Sequence, residues 1–513
     1  MPVGSAKSLQ MALAQDGAPQ RGLVRDLDAN VERINEIVGF GKSFDVILRR
    51  MRVAGVDVAI YVINGFMQTL DNVEVLREIA AVATVPQAGE GGCRPPVGVL
   101  RALLQEKLAY SQVTVVTDLH EAVQQLLVGP MIMLVDGEAA AIVVDTRVYP
   151  DRSPSAPEIE QVIHGPQDGF VENIIFNTAL VRRRVQQPAL RVEMLRIGRR
   201  GKTYVAVAYI EDLTDPALVA GVKQRLRSAS IDAIPMAEEP VAEILSGQPW
   251  NPFPTTRMTE RPDVAANELL EGHVVVLVDT TPVALSVPVS FFQLLQHPED
   301  YHVSPIFGTY LRWVEFIGMG LAVVVPPVWL LLATHPALLG GLPALSFIGP
   351  KSPPKIPLPL QFLLAEVAVD ILRRAILNSP SGLASTFGIL GAVVFGDLAT
   401  KVGLFTPEAL IYMVAAAIAS FAISNVELAM TARIIRMSLL LLEWLWALPG
   451  VVIGLLFWFV LAARTDSLGK PYLWPLIPFN WAAMRSVLIR EPLLREAPRP
   501  SLLRPRDRWR EAR

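Results

Sequence analysis

Residues 316–334 run for nineteen positions without a charged side chain, with Pro326 and Pro327 at the centre, and four more apolar stretches follow before residue 465. About 20 apolar residues let an α-helix cross a hydrocarbon layer. The second half of this 513-residue chain is therefore expected to be an all-α polytopic membrane domain. Apolar content is concentrated after Phe316, so the first 300 or so residues form a different kind of unit. That division sets the expected organisation: a flexible N-terminus over 1–35, a soluble lobe over 36–150, a second lobe with a juxtamembrane hairpin over 151–305, a membrane domain over 306–488 and a basic tail over 489–513.

The membrane segments differ in character. Residues 316–334 span, with the two prolines expected to break or kink the helix. Residues 358–377 are apolar overall yet carry Glu366, Asp370, Arg373 and Arg374. Residues 382–396 are rich in small side chains and end at Asp397, and 407–423 contain AAAIAS, suited to close helix packing. Residues 437–463 are interrupted by Pro449 and Gly450 and contain Glu443. Glu366 and Asp370 share a helical face. They fit either a carboxylate ring lining a cation path in an oligomer or an amphipathic helix neutralised by its own arginines. Asp397 and Glu443 are the next ion-path candidates. Glu408 and Glu427 flank a span and fit helix ends.

Orientation follows from the arginines. Arg433 and Arg436, read as a loop, and the tail after Met484, with nine Arg against four Asp or Glu, both indicate the inside. The N-terminus lacks a hydrophobic core of signal-peptide length, so the soluble half is also expected inside. An even number of crossings is then required, and five segments are visible. Either 437–463 is a bent hairpin, or 358–377 is interfacial or re-entrant, or 472–487 returns through the bilayer. The four charges of 358–377 favour the second.

The soluble half reads as α/β or α+β in two lobes. Strands are expected at 55–64 and 113–116, a helix at 121–127, and a hairpin of 131–135 with 140–144 turned at Asp136 and Gly137. Strands at 190–197 and 204–210 precede a helix over 215–228 with Asp215 as cap. Leu134, Val135, Asp136 and Ala141 recur 143 residues later as Leu277, Val278, Asp279 and Ala284, which fits a duplication or ordinary hairpin similarity. A helix over 170–185, capped by the GPQDGF element, ends in Arg182, Arg183 and Arg184, a solvated basic end or a contact for an acidic partner or lipid headgroups. Residues 149–157 read as a linker. Cys93 is the single cysteine and reads as a loop residue.

Residues 257–300 join the halves. Thr259, Glu260, Arg261, Pro262 and Asp263 place a capping hydroxyl and carboxylates at the start of a helix that Gly272 stops. An apolar strand ends at Asp279, a hairpin follows, and Phe292, Gln293, Glu299, Asp300 and Tyr301 lead to the first span. This ordered block resembles the GerA family of spore germination membrane proteins. Two further blocks, HGPQDGFVENIIFNTALVRRRV and FIGPKSPPKIPLPLQFLLAEVAVDILRRA, are similar to the family, so the resemblance covers roughly residues 40–465. Departures occur at 377–381 (LNSPS) and 423–428 (ISNVEL), where a family histidine and tyrosine are missing.

The resemblance implies a non-enzymatic membrane protein. It implies either a sporulation-linked, ion-conducting branch that amplifies germination or the A subunit of a nutrient-gated receptor; a non-conducting scaffold is the alternative from another class. Expected partners are membrane lipid, other spore germination membrane proteins and further copies of this chain, in the spore inner membrane or bacterial cell membrane with both termini on the cytoplasmic side. No cofactor is expected. His297, Glu299, Asp300 and His302 lack a paired-histidine metal spacing, no nucleophile elbow is present, and the slightly acidic balance argues against nucleic acid.

Overall fold

The structure, a computed structural model, describes residues 22–53, 55–66, 75–77, 79, 113–147, 160, 162–339, 348–351, 353–378, 389, 391, 394, 398–492 and 499–507. Cys93, the expected 149–157 linker, Asp397 and all of the 382–396 span except residues 389, 391 and 394 lie outside these residues. The chain divides into two compact units. The first comprises residues 1–247, 258–288 and 494–513, and the second 248–257 and 289–493.

In the first unit, lobe 1 contains α1 (Leu27–Val38), β1 (Val46–Val53), β2 (Val56–Ile63), β3 (Val113–Val116), α2 (Leu119–Val128), β4 (Met131–Val135) and β5 (Ala141–Val144). Lobe 2 contains α3 (Ile174–Arg184), β6 (Leu190–Ile197), β7 (Thr203–Ile210), α4 (Pro216–Ser228), α5 (Glu238–Ser246), β8 (Arg257–Thr259), α6 (Pro262–Glu271), β9 (Val274–Val278) and β10 (Ala284–Val287). Sheet order is β1-β2-β4-β5-β3 in one lobe and β6-β7-β9-β10-β8 in the other, the same order under a shift of five strands. In each lobe two helices, α1 with α2 or α3 with α6, cover one face of the sheet.

The repeat extends to individual hydrogen bonds. Leu134 pairs Ala141, as Leu277 pairs Ala284. Asp136 Oδ1 accepts the Leu27 amide at 3.3 Å, and Asp279 Oδ1 accepts the Ile174 amide at 3.3 Å, each the first residue of its helix. Asn30 bridges both main-chain groups of Val24, as Asn177 does for Val171. The echo around Asp136 and Asp279 is therefore part of a repeated fold. Asn173, not the GPQDGF element, caps α3. Of its terminal arginines only Arg183 is exposed as expected of a solvated end: Arg182 is 1% exposed and binds Asp45 at 2.8 Å, and Arg184 forks onto Asp168.

The second unit is helical: α7 (Glu299–His302), α8 (Pro305–Thr334), α9 (Leu358–Leu377), α10 (Pro407–Phe421), α11 (Val426–Arg464) and α12 (Trp481–Leu488), with shorter pieces between. Helices α8 and α11 are long and apolar enough to cross a membrane by length and composition. The α8 helix continues through Pro326 and Pro327 rather than breaking there. The α11 helix does break, at Ala447, whose φ of 49° and ψ of −133° are not helical. Its arms fold back: a Cβ on Gly450 would lie 2.0 Å from the Leu442 carbonyl, Gly454 faces Leu439, and Trp458 Nε1 donates to Ser438 Oγ. Thus 437–463 is the bent hairpin.

Helix directions follow from the contacts. Ser424 meets Glu315 and Thr334 meets Glu443, so the first arm of α11 runs parallel to α8 over nineteen residues of each, about 28 Å at 1.5 Å per residue. The α9 helix runs against that arm, Glu366 meeting Arg436 and Asp370 meeting Arg433. It is packed inside the bundle, not laid along an edge as its charges suggested, because its carboxylates find arginines on α11. Its exposed residues include the apolar Leu364, Val367 and Ile371 and, near its C-terminal end, Arg374.

Candidate functional site

The second unit buries several charged side chains and exposes many of its large apolar ones, although Lys351, Lys355, Arg374, Lys401, Arg464 and Arg485 are also exposed. Ile306, Phe307, Tyr310, Ile317, Ile371, Ile411, Ile418, Phe421 and Phe457 are all exposed, while Arg436, Glu366, Glu443, Arg312, Glu315 and Asp300 are buried. A charge in an apolar surrounding is tolerated when paired and hydrogen-bonded. Two ion pairs, Arg436–Glu366 and Arg312–Asp300, are arranged accordingly; Glu315 and Glu443 meet hydroxyls instead.

At mid-height, four helices meet at the Arg436 guanidinium. Nε bonds Glu366 Oε1 from α9, and Nη1 donates to the Ala322 carbonyl of α8 at 2.6 Å and to Ser420 Oγ of α10 at 3.4 Å. Arg436 and Glu366 are each 1% exposed. One turn away Arg433 bonds Asp370, whose side chain is 43% exposed. Asp370 therefore pairs across helices rather than with Arg373 or Arg374. Arg433 and Arg436 are not a loop; they lie in α11.

At one end of the bundle Ser424 Oγ donates to Glu315 Oε1 at 2.6 Å. At the other Thr334 Oγ1 lies 2.9 Å from Glu443 Oε1. Glu315 and Glu443 thus join the polar interior, the first unnoticed in the sequence because it sits just before the uncharged run.

The residues leading into α8 form an anchor. Asp300 accepts from Arg312 Nε at 3.1 Å, and Arg312 Nη1 reaches the Ser486 carbonyl of α12 at 2.9 Å. Arg490 donates to the Tyr301 and Val303 carbonyls, and both arginines stand over the Tyr301 ring. Glu299 begins α7, its amide bonded to His297 Nδ1. The 472–487 segment holds a turn and the short α12, and it supports the start of α8.

In the first unit the Thr259–Asp263 motif is a clamp on the chain entering lobe 2. Arg261, 1% exposed, donates to the Pro166 carbonyl at 3.0 Å and to Asp263 at 2.8 Å. Thr259 bonds Glu160, and the Glu260 carbonyl accepts the Phe170 amide. Thr259 does not cap α6, whose N-cap is Arg261, but Pro262 opens that helix and Gly272 closes it in the left-handed conformation. His273, wholly buried, sits 2.9 Å from Glu268. Burial pushes its pKa down, and the Glu268 carboxylate outweighs this, so the net direction is up. The tail also belongs here: Leu502 and Leu503 are buried, Arg499 donates to the Leu270 carbonyl and the Arg506 amide to that of Leu213.

Residues 32–502 match the family model described as Bacillus/Clostridium GerA spore germination protein. The chain is 38% identical over 482 residues to Stage V sporulation protein AF of Bacillus subtilis (strain 168), covering 94% of this chain and 96% of that protein. It is 28% identical over 477 residues to Spore germination protein KA of the same organism, covering 92% and 86%. Among solved structures, the N-terminal domain of the A subunit of the Bacillus megaterium spore germinant receptor GerK3 matches at 27% identity and a TM-score of 0.41, covering 53% of this chain and 97% of that one.

Proposed function

The chain belongs to the GerA family of spore germination proteins, and we propose that it contributes to the release of monovalent cations during germination as a membrane-embedded oligomer. The observation that carries this is that the second unit exposes many large apolar side chains while burying Arg436, Glu366, Glu443, Arg312, Glu315 and Asp300, a distribution that suits a lipid-solvated bundle.

The two arms of α11, with α8, α9 and α10, make five passages along the bundle; 382–396, counted on composition alone, makes six. An even number agrees with the C-terminal residues 499–507 being part of the same compact unit as the N-terminal lobes, which puts both on one side, in our reading the cytoplasmic side. A cation following the interior of a single bundle would meet Arg436. We therefore place the conducting path between copies of the chain, with Asp370, whose side chain is 43% exposed, beside it, and with Glu366 fixing Arg436; Asp397 stays a candidate on sequence alone. Other germination proteins of the same membrane are the expected partners. No catalytic step is assigned.

The receptor A subunit is the second reading, favoured by the match to Spore germination protein KA along most of both chains. The higher identity with Stage V sporulation protein AF favours the amplifying role. Potassium and dipicolinate release from spores lacking this gene, measured separately with several nutrients, separates them. Slower release with every nutrient supports the amplifier; loss of response to one nutrient class with others normal supports a receptor subunit. Normal release throughout removes both.

A further inference from the structure

Glu443 is 2% exposed in the first arm of α11, just before the break at Ala447. Among the described residues its Oε2 makes no hydrogen bond, and its Oε1 is hydrogen-bonded to one group, the Thr334 hydroxyl at 2.9 Å. That hydroxyl also lies 2.9 Å from the Leu330 carbonyl, 3.2 Å from the Leu331 carbonyl and 2.9 Å from Nδ1 of His335, which is exposed. A threonine hydroxyl has one proton to give and two lone pairs to receive with. A carbonyl can only accept. If Glu443 is ionised, Thr334 must give its proton to the carboxylate and forgo Leu330, and a buried anion is left with a single donor. If Glu443 is protonated on Oε1, its O–H donates to Thr334, His335 Nδ1–H donates to the other lone pair, and Thr334 donates to the Leu330 carbonyl; Oε2 alone stays unpaired, and as a neutral carbonyl rather than as part of an anion.

We propose that Glu443 is a proton-binding site, loaded from and emptied to the aqueous phase along the Thr334–His335 chain. A proton suits the site better than a dehydrated metal cation, since a hard cation needs several oxygen ligands and among the described residues the carboxylate has one hydrogen-bond partner. Charged groups on neighbouring elements are engaged elsewhere. On α9, Glu366 and Asp370 are held by Arg436 and Arg433, with Arg373 and Arg374 further along that helix toward the opposite end. On α10, Tyr412 stacks on Trp329, and Glu408 accepts the Lys351 amide. Just past the end of α8, His335 adjoins the Thr334 hydroxyl. The site rests on reading the second unit as a membrane bundle, and does not depend on that bundle conducting ions.

The test is pH-difference infrared spectroscopy of the full-length protein in phospholipid vesicles. A carboxylic-acid C=O band that fades as pH rises is expected. Glu443→Gln should abolish that band, Thr334→Val should shift its frequency by removing the hydroxyl, and His335→Ala should slow its loss several-fold after a pH jump. A spectrum unchanged by Glu443→Gln overturns the proposal, as does a band insensitive to both Thr334→Val and His335→Ala. Potassium flux in the same vesicles is read separately, so absence of flux counts against conduction and leaves the proton site standing.

Discussion

The Arg436 guanidinium donates to the Ala322 carbonyl at 2.6 Å, and Ala322 lies four residues before Pro326. In a helix that carbonyl would accept the amide of residue 326, which proline lacks. The proline that threatens α8 therefore exposes an acceptor inside the bundle. A cation from α11 uses it, along with the Glu366 carboxylate. The continuity of α8 and the burial of Arg436 are two aspects of one interaction.

Replacing Arg436 by Met should destabilise the full-length chain by about 3–5 kcal/mol, because it strands a buried carboxylate. Thermal unfolding in lipid nanodiscs measures this. Removing Glu366 as well, as Arg436→Met with Glu366→Leu, should restore much of the loss. Equal damage from the single and the double variant would show that Glu366 is not the partner.

Pro326→Ala returns an amide to the Ala322 carbonyl and supplies the bond that Arg436 now makes. The cost of Arg436→Met should then shrink, with a coupling on the order of 0.5–3 kcal/mol in a double-mutant cycle. Strict additivity would mean that the carbonyl contact contributes nothing to holding Arg436.

Gly450 decides whether α11 can fold back. A Cβ there would lie 2.0 Å from the Leu442 carbonyl, so Gly450→Ala should cost about 1–3 kcal/mol by overpacking. Gly221, inside α4 with nothing within 4 Å of its Cβ position, is the control. There alanine should stabilise, by up to about 1 kcal/mol. Accessibility of single cysteines at positions 425 and 465 checks the topology. Labelling from one side of a sealed vesicle is expected for both, and labelling from opposite sides would rule out the hairpin.

Most elements of the soluble half were legible because strands such as β9 are short, apolar and bounded by turn residues, and because Asp215 and Gly272 mark helix ends where sequence places them. The repeat was only a faint echo, since hydrogen bonds rather than side-chain identities carry it: Asn30 and Asn177 perform one task among otherwise different neighbours. Apart from misplaced helix caps and a helix that continues through Pro326 and Pro327, the errors concern charge. Arg182 looked solvated and is paired with Asp45, 137 residues away in sequence. Arg433 and Arg436 looked like loop residues, and Glu366 and Asp370 like an interfacial face, because local sequence cannot show that the two sets neutralise each other across 63 to 70 residues.

His273 gives the first unit a pH dependence whose sign can be stated. Burial lowers its pKa, but the Glu268 carboxylate, 2.9 Å away, more than reverses this, and the folded value lies above the ordinary 6.5. A histidine that binds its proton more tightly when folded stabilises the fold fully below its unfolded pKa and loses that contribution as pH rises through the folded value. Chemical unfolding of the full-length chain should therefore show stability falling as pH rises above about 6.5, the unperturbed histidine value. In His273→Gln, which keeps a donor near Glu268 without a titratable ring, that slope should flatten. If stability instead climbs over the same interval in the wild type and not in the variant, the ring is buried neutral and Glu268 is not its charge partner.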